Sequence, residues 1–210
     1  MKMMKKLIMM LGAALLSLAA YAGDFTAMRD PSAFRRMLSE KTEAESSIDC
    51  RFSQTKYLSV FSEKVVSKGR FCFDRGDVAL LYDSGYQIII AGTKLKTLAD
   101  GKTSVVNLGG NPVMGQMKSL LSATMAGDLD RLGASYRLDY QESSKEYLVK
   151  LKPSSPSLQS YIASMDIYFD KADCSVNRLV IHENASDYTS YDFSSKKFNT
   201  KIDEKIFSIH

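Results

Sequence analysis

From Ile48 to Ile209 the apolar residues of this chain recur at every second position in about eleven short segments, and that period of two limits the fold more than any other feature. Ile48, Cys50 and Phe52 alternate with Asp49, Arg51 and Ser53. The same alternation predicts strands over 64–74, 78–83, 87–92, 94–99 and 103–108, then over 135–141, 147–153, 162–170, 175–184, 188–198 and 206–209. Arg75-Gly76-Asp77 and Asp100-Gly101 are the turn signals between neighbours. Consecutive strands joined by short turns make an antiparallel sheet, and a sheet of this size must curl to protect its faces and edges.

Two segments break the pattern. Asp30-Pro31 reads as an N-cap with proline at the first helical position, and Phe34, Met37, Leu38 and Lys41 follow at helical spacing, so 31–45 is expected to be a short amphipathic helix. Gly109-Gly110-Asn111-Pro112 stops the first strand series. Beyond it Val113, Met114, Met117, Leu120, Leu121, Met125, Leu129 and Leu132 form an apolar helical stripe that Gly127 divides in two. The segment 152–157 is expected to be irregular. The fold expected is mainly β with helices: an unclosed antiparallel barrel with both helical pieces packed into its concave side.

The first 22 residues say where the chain works. Lys2, Lys5 and Lys6 precede an uncharged apolar run from Leu7 to Ala20, and Ala20-Tyr21-Ala22 offers small residues at a cleavage site. This is a secretory signal, with cleavage expected after Ala22; the run is short for a membrane span, the alternative being an uncleaved anchor. Residues 23–210 then form one exported domain. Without the three leader lysines the formal charge falls from +4 to +1. The remaining charges alternate in sign, which excludes a nucleic-acid surface. Cys50 and Cys72 could pair in an oxidising compartment, but Cys50 shares parity with Phe52 while Cys72 opposes Phe71 and Phe73; only a bulge would reconcile them.

Catalytic chemistry is hard to find. His182 and His210 are the only histidines, and His182 lies in a strand with no nucleophile paired to it. Asp83-Ser84-Gly85 is better read as a turn than as a nucleophile elbow. There is no phosphate loop and no Cys/His spacing for a metal, so no catalytic residue, metal or cofactor is expected. Met114, Met117 and Met125 beside Leu120 and Leu121 instead suggest an adaptable apolar surface suited to a flexible guest such as an acyl chain.

The ordered motifs resemble one family. Phe52-Ser53-Gln54, then Ser67-Lys68-Gly69-Arg70-Phe71-Cys72-Phe73-Asp74-Arg75 and the strand ending Leu81-Tyr82-Asp83, are similar to the signature of periplasmic outer-membrane lipoprotein carriers of the LolA-like family. Pro112 opens the helical insert where that family has its lid, and 147–153, 181–193 and 201–207 resemble its later strands. Gly76 replaces the family proline, Ala79 stands where an aromatic is common, and the chain has no tryptophan. The resemblance implies a half-open barrel that takes lipoprotein acyl chains from an inner-membrane transporter and passes them to an outer-membrane acceptor, as a monomeric, non-enzymatic chaperone. It implies an acyl-binding face formed by Phe52, Phe71, Phe73, Leu80, Tyr82, Ile88, Ile90, Val113, Met114, Met117 and Leu121, with Arg75 holding the lid closed. Carriage of another lipid, or a sensor or assembly role on the same scaffold, stays open beside it.

Overall fold

The computed structural model describes residues 25–43, 47–110 and 112–209; the leader expected at 1–22 lies outside them. The strands are β1 (Thr26–Ala27), β2 (Ser47–Leu58), β3 (Glu63–Asp74), β4 (Asp77–Tyr82), β5 (Gln87–Ala91), β6 (Lys94–Ala99), β7 (Lys102–Asn107), β8 (Tyr136–Glu142), β9 (Glu146–Pro153), β10 (Ser164–Asp170), β11 (Val176–His182) and β12 (Tyr188–Phe198). They form one twelve-stranded antiparallel sheet in the order β1-β8-β9-β10-β11-β12-β2-β3-β4-β5-β6-β7. The two strand series meet where β12 pairs with β2, Phe193 opposite Phe52. The end strands β1 and β7 do not pair with each other, so the barrel is unclosed.

Helix α1 (Pro31–Glu43) begins as its sequence dictates: the Asp30 carboxylate accepts the Ala33 N–H at 2.9 Å, and Pro31 occupies the first turn. Helix α2 (Pro112–Met125) follows β7 through a short 3-10 turn at Leu108–Gly110. Gly127, at φ +65°, ends the insert's first part, and a second 3-10 turn, Leu129–Leu132, completes it. Phe34 and Leu38 from α1, and Leu120, Ala123, Met125, Leu129 and Leu132 from the insert, share one buried apolar cluster with the sheet's inward residues. Lys41, expected on the apolar stripe of α1, faces solvent instead; Thr42 takes the position against the insert.

Three local expectations change. β1 is two residues long, too short to show a period. Ser155-Pro156 starts a one-turn helix, α3 (Pro156–Gln159), inside the segment expected to be irregular: the Ser155 hydroxyl accepts the Leu158 N–H, and the Leu158 side chain is fully buried. The final strand expected at 206–209 is a 3-10 turn, Glu204–Phe207, because the Asp203 carboxylate caps the Lys205 N–H at 3.0 Å. Its neighbours Ile202, Ile206, Phe207 and Ile209 lie on the sheet's outer face over Cys72, Ala79 and Ile89, a second and smaller apolar cluster.

The ladder separates the cysteines as parity requires. Cys50 pairs with Phe71 and belongs to the inner cluster; Cys72 pairs with Asp49 and belongs to the outer one. All three cysteines are reduced and buried. Burial pushes the Cys50 thiol up to about 12 and the Cys72 thiol up to about 11, so neither is a thiolate at neutral pH. A thiol reagent should therefore label no cysteine in the folded chain and all three after denaturation; rapid labelling of Cys50 or Cys72 without denaturant would contradict this burial.

Candidate functional site

The inner face of β2–β5 is built around a glycine. Gly69 stands opposite Phe52 in the β2–β3 ladder. A side-chain carbon at Gly69 would lie 2.7 Å from the Phe52 ring and 2.4 Å from the Leu81 carbonyl oxygen. Gly69 is thus required by a close approach rather than by a bend in the strand. The seated Phe52 ring meets Tyr82 edge-on at 5.0 Å and Tyr191 at 6.1 Å, and Phe71 meets Phe193 at 5.3 Å. These aromatic contacts join the two strand series across β2 and β12.

One polar chain runs through this aromatic surface. Tyr191 hydrogen-bonds to Tyr82, whose hydroxyl donates to the Gln54 side-chain oxygen at 2.6 Å. Burial raises both tyrosines above the ordinary phenol range, most strongly Tyr191, so both stay neutral donors at physiological pH. The chain satisfies polar atoms without placing a charge on the apolar face.

Most residues expected on the acyl-binding face meet there. Phe52, Phe71, Phe73, Leu80 and Ile90 are buried in the inner cluster; Tyr82, Ile88 and Leu121 are half-buried at its margin. The side chains of Val113, Met114 and Met117 lie outside the described residues. Arg75 sits in the β3–β4 turn at φ +48°, its side chain 73% exposed and its guanidinium paired with Asp74 at 3.1 Å. Among the described residues it makes no hydrogen bond to α2.

The polar ties of the lid come from residues that the sequence pattern does not single out. Lys118 on α2 donates to the Gly92 carbonyl in the β5–β6 turn. The Ser122 hydroxyl lies 3.5 Å from the Gly76 carbonyl in the β3–β4 turn. At the other end Thr42 donates to the Ala126 carbonyl at 2.6 Å, and a side-chain carbon at Gly127 would meet Thr42 at 2.4 Å. The lid is therefore pressed closely onto α1 at its C-terminal end and tied by two side chains to turns of the sheet. Neither tie shows any pattern within α2, since each partner lies more than twenty residues away.

Beside Met125 the described interior is closely packed. Two voids beside Met125, one against Phe71 and Phe193 and one against Thr124 and Phe169, have volumes of about 20 Å³ each. Each holds a single water at most. There the inner face is covered by the chain's own apolar side chains. Exposed apolar surface is unfavourable by roughly 25 cal/mol per Å², which seats the lid when no guest is present.

The residues expected to be candidates for catalysis lie away from this face. His182 lies on the outer side of the sheet, where its Nε2 and the Lys150 ammonium approach one Asp166 oxygen at 3.3 and 3.2 Å. The segment at Ser84 is a turn in which the Gly85 N–H bonds to the Tyr82 carbonyl. Among the described residues no group of three or more His, Cys, Asp or Glu could hold a metal, and no helix is long and apolar enough to cross a membrane.

Two substitutions test the geometry. Ala exceeds Gly in a strand by roughly 0.5–1 kcal/mol, but overpacking against Phe52 and Leu81 costs about 1–3 kcal/mol. Gly69→Ala should therefore lower the urea midpoint, and an unchanged or higher midpoint would refute the close approach. Lys118→Met should speed amide hydrogen exchange along α2 while leaving global stability within about 0.5 kcal/mol, as for other surface changes. Unaltered exchange would show that Lys118 does not hold the lid.

One known family matches the sequence. The description "Outer membrane lipoprotein carrier protein LolA" matches residues 43–210. No protein of curated function matches the sequence. Solved structures with related folds include a LolA superfamily protein from Nitrosomonas europaea, 10% identical, with a TM-score of 0.42 over 83% of this chain and 97% of that one. A putative outer membrane lipoprotein-sorting protein domain from Vibrio parahaemolyticus is 9% identical, with a TM-score of 0.46 over 83% and 94%. The Mycobacterium tuberculosis lipoprotein LppX is 12% identical, with a TM-score of 0.45 over 83% and 99%. With its match running from the end of α1 to the C-terminus, this chain belongs to the LolA family of outer membrane lipoprotein carrier proteins.

Proposed function

We propose that this chain is exported by cleavage after Ala22 and that residues 23–210 work in the periplasm as a non-enzymatic carrier of acylated cargo, most simply a lipoprotein. The guest's acyl chains lie on the inner face formed by Phe52, Phe71, Phe73, Leu80, Tyr82, Ile88 and Ile90, beneath α2, with Val113, Met114, Met117 and Leu121 as the lid's contribution. An inner-membrane transporter is the donor and an outer-membrane component the acceptor; no cofactor is needed, and the carrier is a monomer. The observation that carries this reading is that the lid and the concave sheet share one apolar cluster, so a guest entering the face replaces lid side chains with a chain of like polarity. Lys118 and Ser122 release the lid, and the Arg75–Asp74 pair stands beside the turn that Ser122 grips, where a change of partner would let Arg75 add a tie.

A second reading is a sensor or assembly module on the same scaffold. The close packing beside Met125 favours it, because such a module needs no cavity. Titration with a fluorescent fatty-acyl probe separates the two. The carrier should bind the probe saturably, a diacylated lipopeptide should displace it, and Ile88→Glu at the margin of the face should weaken binding at least about tenfold, the loss expected for one apolar side chain. Absence of saturable binding, together with a membrane partner retained after delipidation, would establish the module instead.

A further inference from the structure

Among the described residues, four exposed apolar side chains gather at the far end of one hairpin. Val60 is 84% and Phe61 68% exposed at the β2–β3 turn, and Val65 and Val66 follow at 59% and 56%. They lie on all sides of the ribbon. Val65 pairs with Lys56, on the face that carries Phe52, while Val66 pairs with Thr55 on the opposite face. β4 accompanies β3 only as far as the Gly69–Tyr82 pair, so the outer part of β3 has no strand on that side.

The projecting end is held stiffly. The Asp187 carboxylate, from the β11–β12 loop, accepts the Ser59 N–H at 2.7 Å and the Ser59 hydroxyl at 2.6 Å, and Asn184 fixes the same carboxylate at 2.9 Å. The Phe61 and Ser62 N–H groups bond back to Leu58 and Ser59, and Ser62 takes a positive φ of +52°. Two exposed apolar residues on a preformed turn lose little entropy on entering another phase. Behind the tip stand amphipathic groups. Tyr57 and Tyr188 stack at 5.5 Å, and Lys56, Lys64 and Lys68 are exposed. Residues 56–68 carry those three lysines against one acid, Glu63; Glu183 and Asp187 in the adjacent loop are engaged by Thr189 and Ser59.

A groove on a partner protein reads one face of a ribbon, whereas a lipid phase accepts apolar groups from every side. Tyrosine and lysine set back from an apolar tip match the headgroup level of a bilayer. We propose that this hairpin end docks the chain on an anionic bilayer surface, with Val60 and Phe61 entering the acyl boundary and Lys56, Lys64 and Lys68 meeting the headgroups. The inference rests on the carrier reading and extends it. The face leading from Phe52 through Gln54 and Lys56 to Val65 ends at the docked tip, so cargo leaves the concave side where the membrane is met.

The chain has no tryptophan, so Phe61→Trp in the mature protein purified after export supplies a single indole at the tip. Its emission should shift to the blue on vesicles of phosphatidylethanolamine with phosphatidylglycerol, and the wild-type protein should float with them more than with phosphatidylcholine alone. Val60→Ser combined with Phe61→Ser should reduce flotation at least about tenfold, with an unchanged urea midpoint and unchanged acyl-probe binding in solution. Flotation of this double variant equal to wild type, or an indole that shifts only on a protein partner, would overturn the docking proposal, and equal flotation on both lipids would overturn its headgroup assignment. Loss of vesicle binding by the wild type with acyl binding kept sinks the docking proposal alone. Vesicle binding that depends on Val60 and Phe61 in a chain that binds no acyl probe upholds the docking surface and sinks the carrier reading.

Discussion

A strongly curved sheet with apolar residues on its inner face cannot leave that face to water, and the rest of this molecule follows from that constraint. The strands supply Phe52, Phe71, Phe169 and Leu151 from both series. Twelve strands in an open order leave a concavity that the sheet does not fill by closing on itself. The insert between β7 and β8 fills it, and α1 wedges in from the other side, Phe34 against Tyr147 and Phe169. The outer face has the smaller version of the same difficulty, and the C-terminal turn meets it by covering Cys72, Ala79 and Ile89. Both coverings come from chain segments outside the sheet, which makes them the parts able to move without breaking a ladder.

Attachment of the two lid ends differs in kind. Gly127 lies so close to Thr42 and Leu38 that no side chain fits, a contact with many atoms and little freedom. Lys118 and Ser122 each hold one carbonyl in a surface turn, and hydrogen bonds at such positions contribute only about 0.5–1.5 kcal/mol net. Any opening that keeps the tight contact and gives up the two ties swings the lid away from the β3–β4 and β5–β6 turns.

Much of the fold is legible because parity in a strand is a hard constraint. The separation of Cys50 from Cys72 could be read from Phe52, Phe71 and Phe73 alone, and the β2–β3 register bears it out residue by residue. Gly127 as a divider and Asp30-Pro31 as a start are local signals with local causes. Ser155-Pro156 was equally local, yet one helical turn is too short for a period, so only its cap announced it. The last segment misleads because Ile206, Phe207 and Ile209 have strand-like composition, while the Asp203 cap and the uncovered outer face decide for a turn. At the site, the inward aromatics were legible as a set. The seat of Phe52 on Gly69, the Tyr191–Tyr82–Gln54 chain and the Lys118 tie were not, since each joins residues remote in sequence through geometry that no spacing encodes.

On the carrier reading, the packing of the lid on the sheet also sets how strongly cargo is held. Lifting the lid takes Leu120, Leu121 and Met125 off the sheet, at roughly 1.5–3 kcal/mol for each large apolar side chain, or about 4.5–9 kcal/mol together. A guest acyl chain of about fifteen methylenes gains roughly 12 kcal/mol on burial, at about 0.8 kcal/mol per methylene. The second quantity exceeds the first by about 3–7 kcal/mol, so one acyl chain is enough to displace the lid, and the lid's return offsets more than a third of the guest's burial free energy when the chain departs. An empty, preformed hollow would bind the same guest more tightly by that margin and release it more slowly. On the carrier reading, a lid whose own side chains pack on the sheet is what lets cargo be taken from one membrane and surrendered to another, because transfer depends on the difference in affinity between carrier and acceptor rather than on the strength of either.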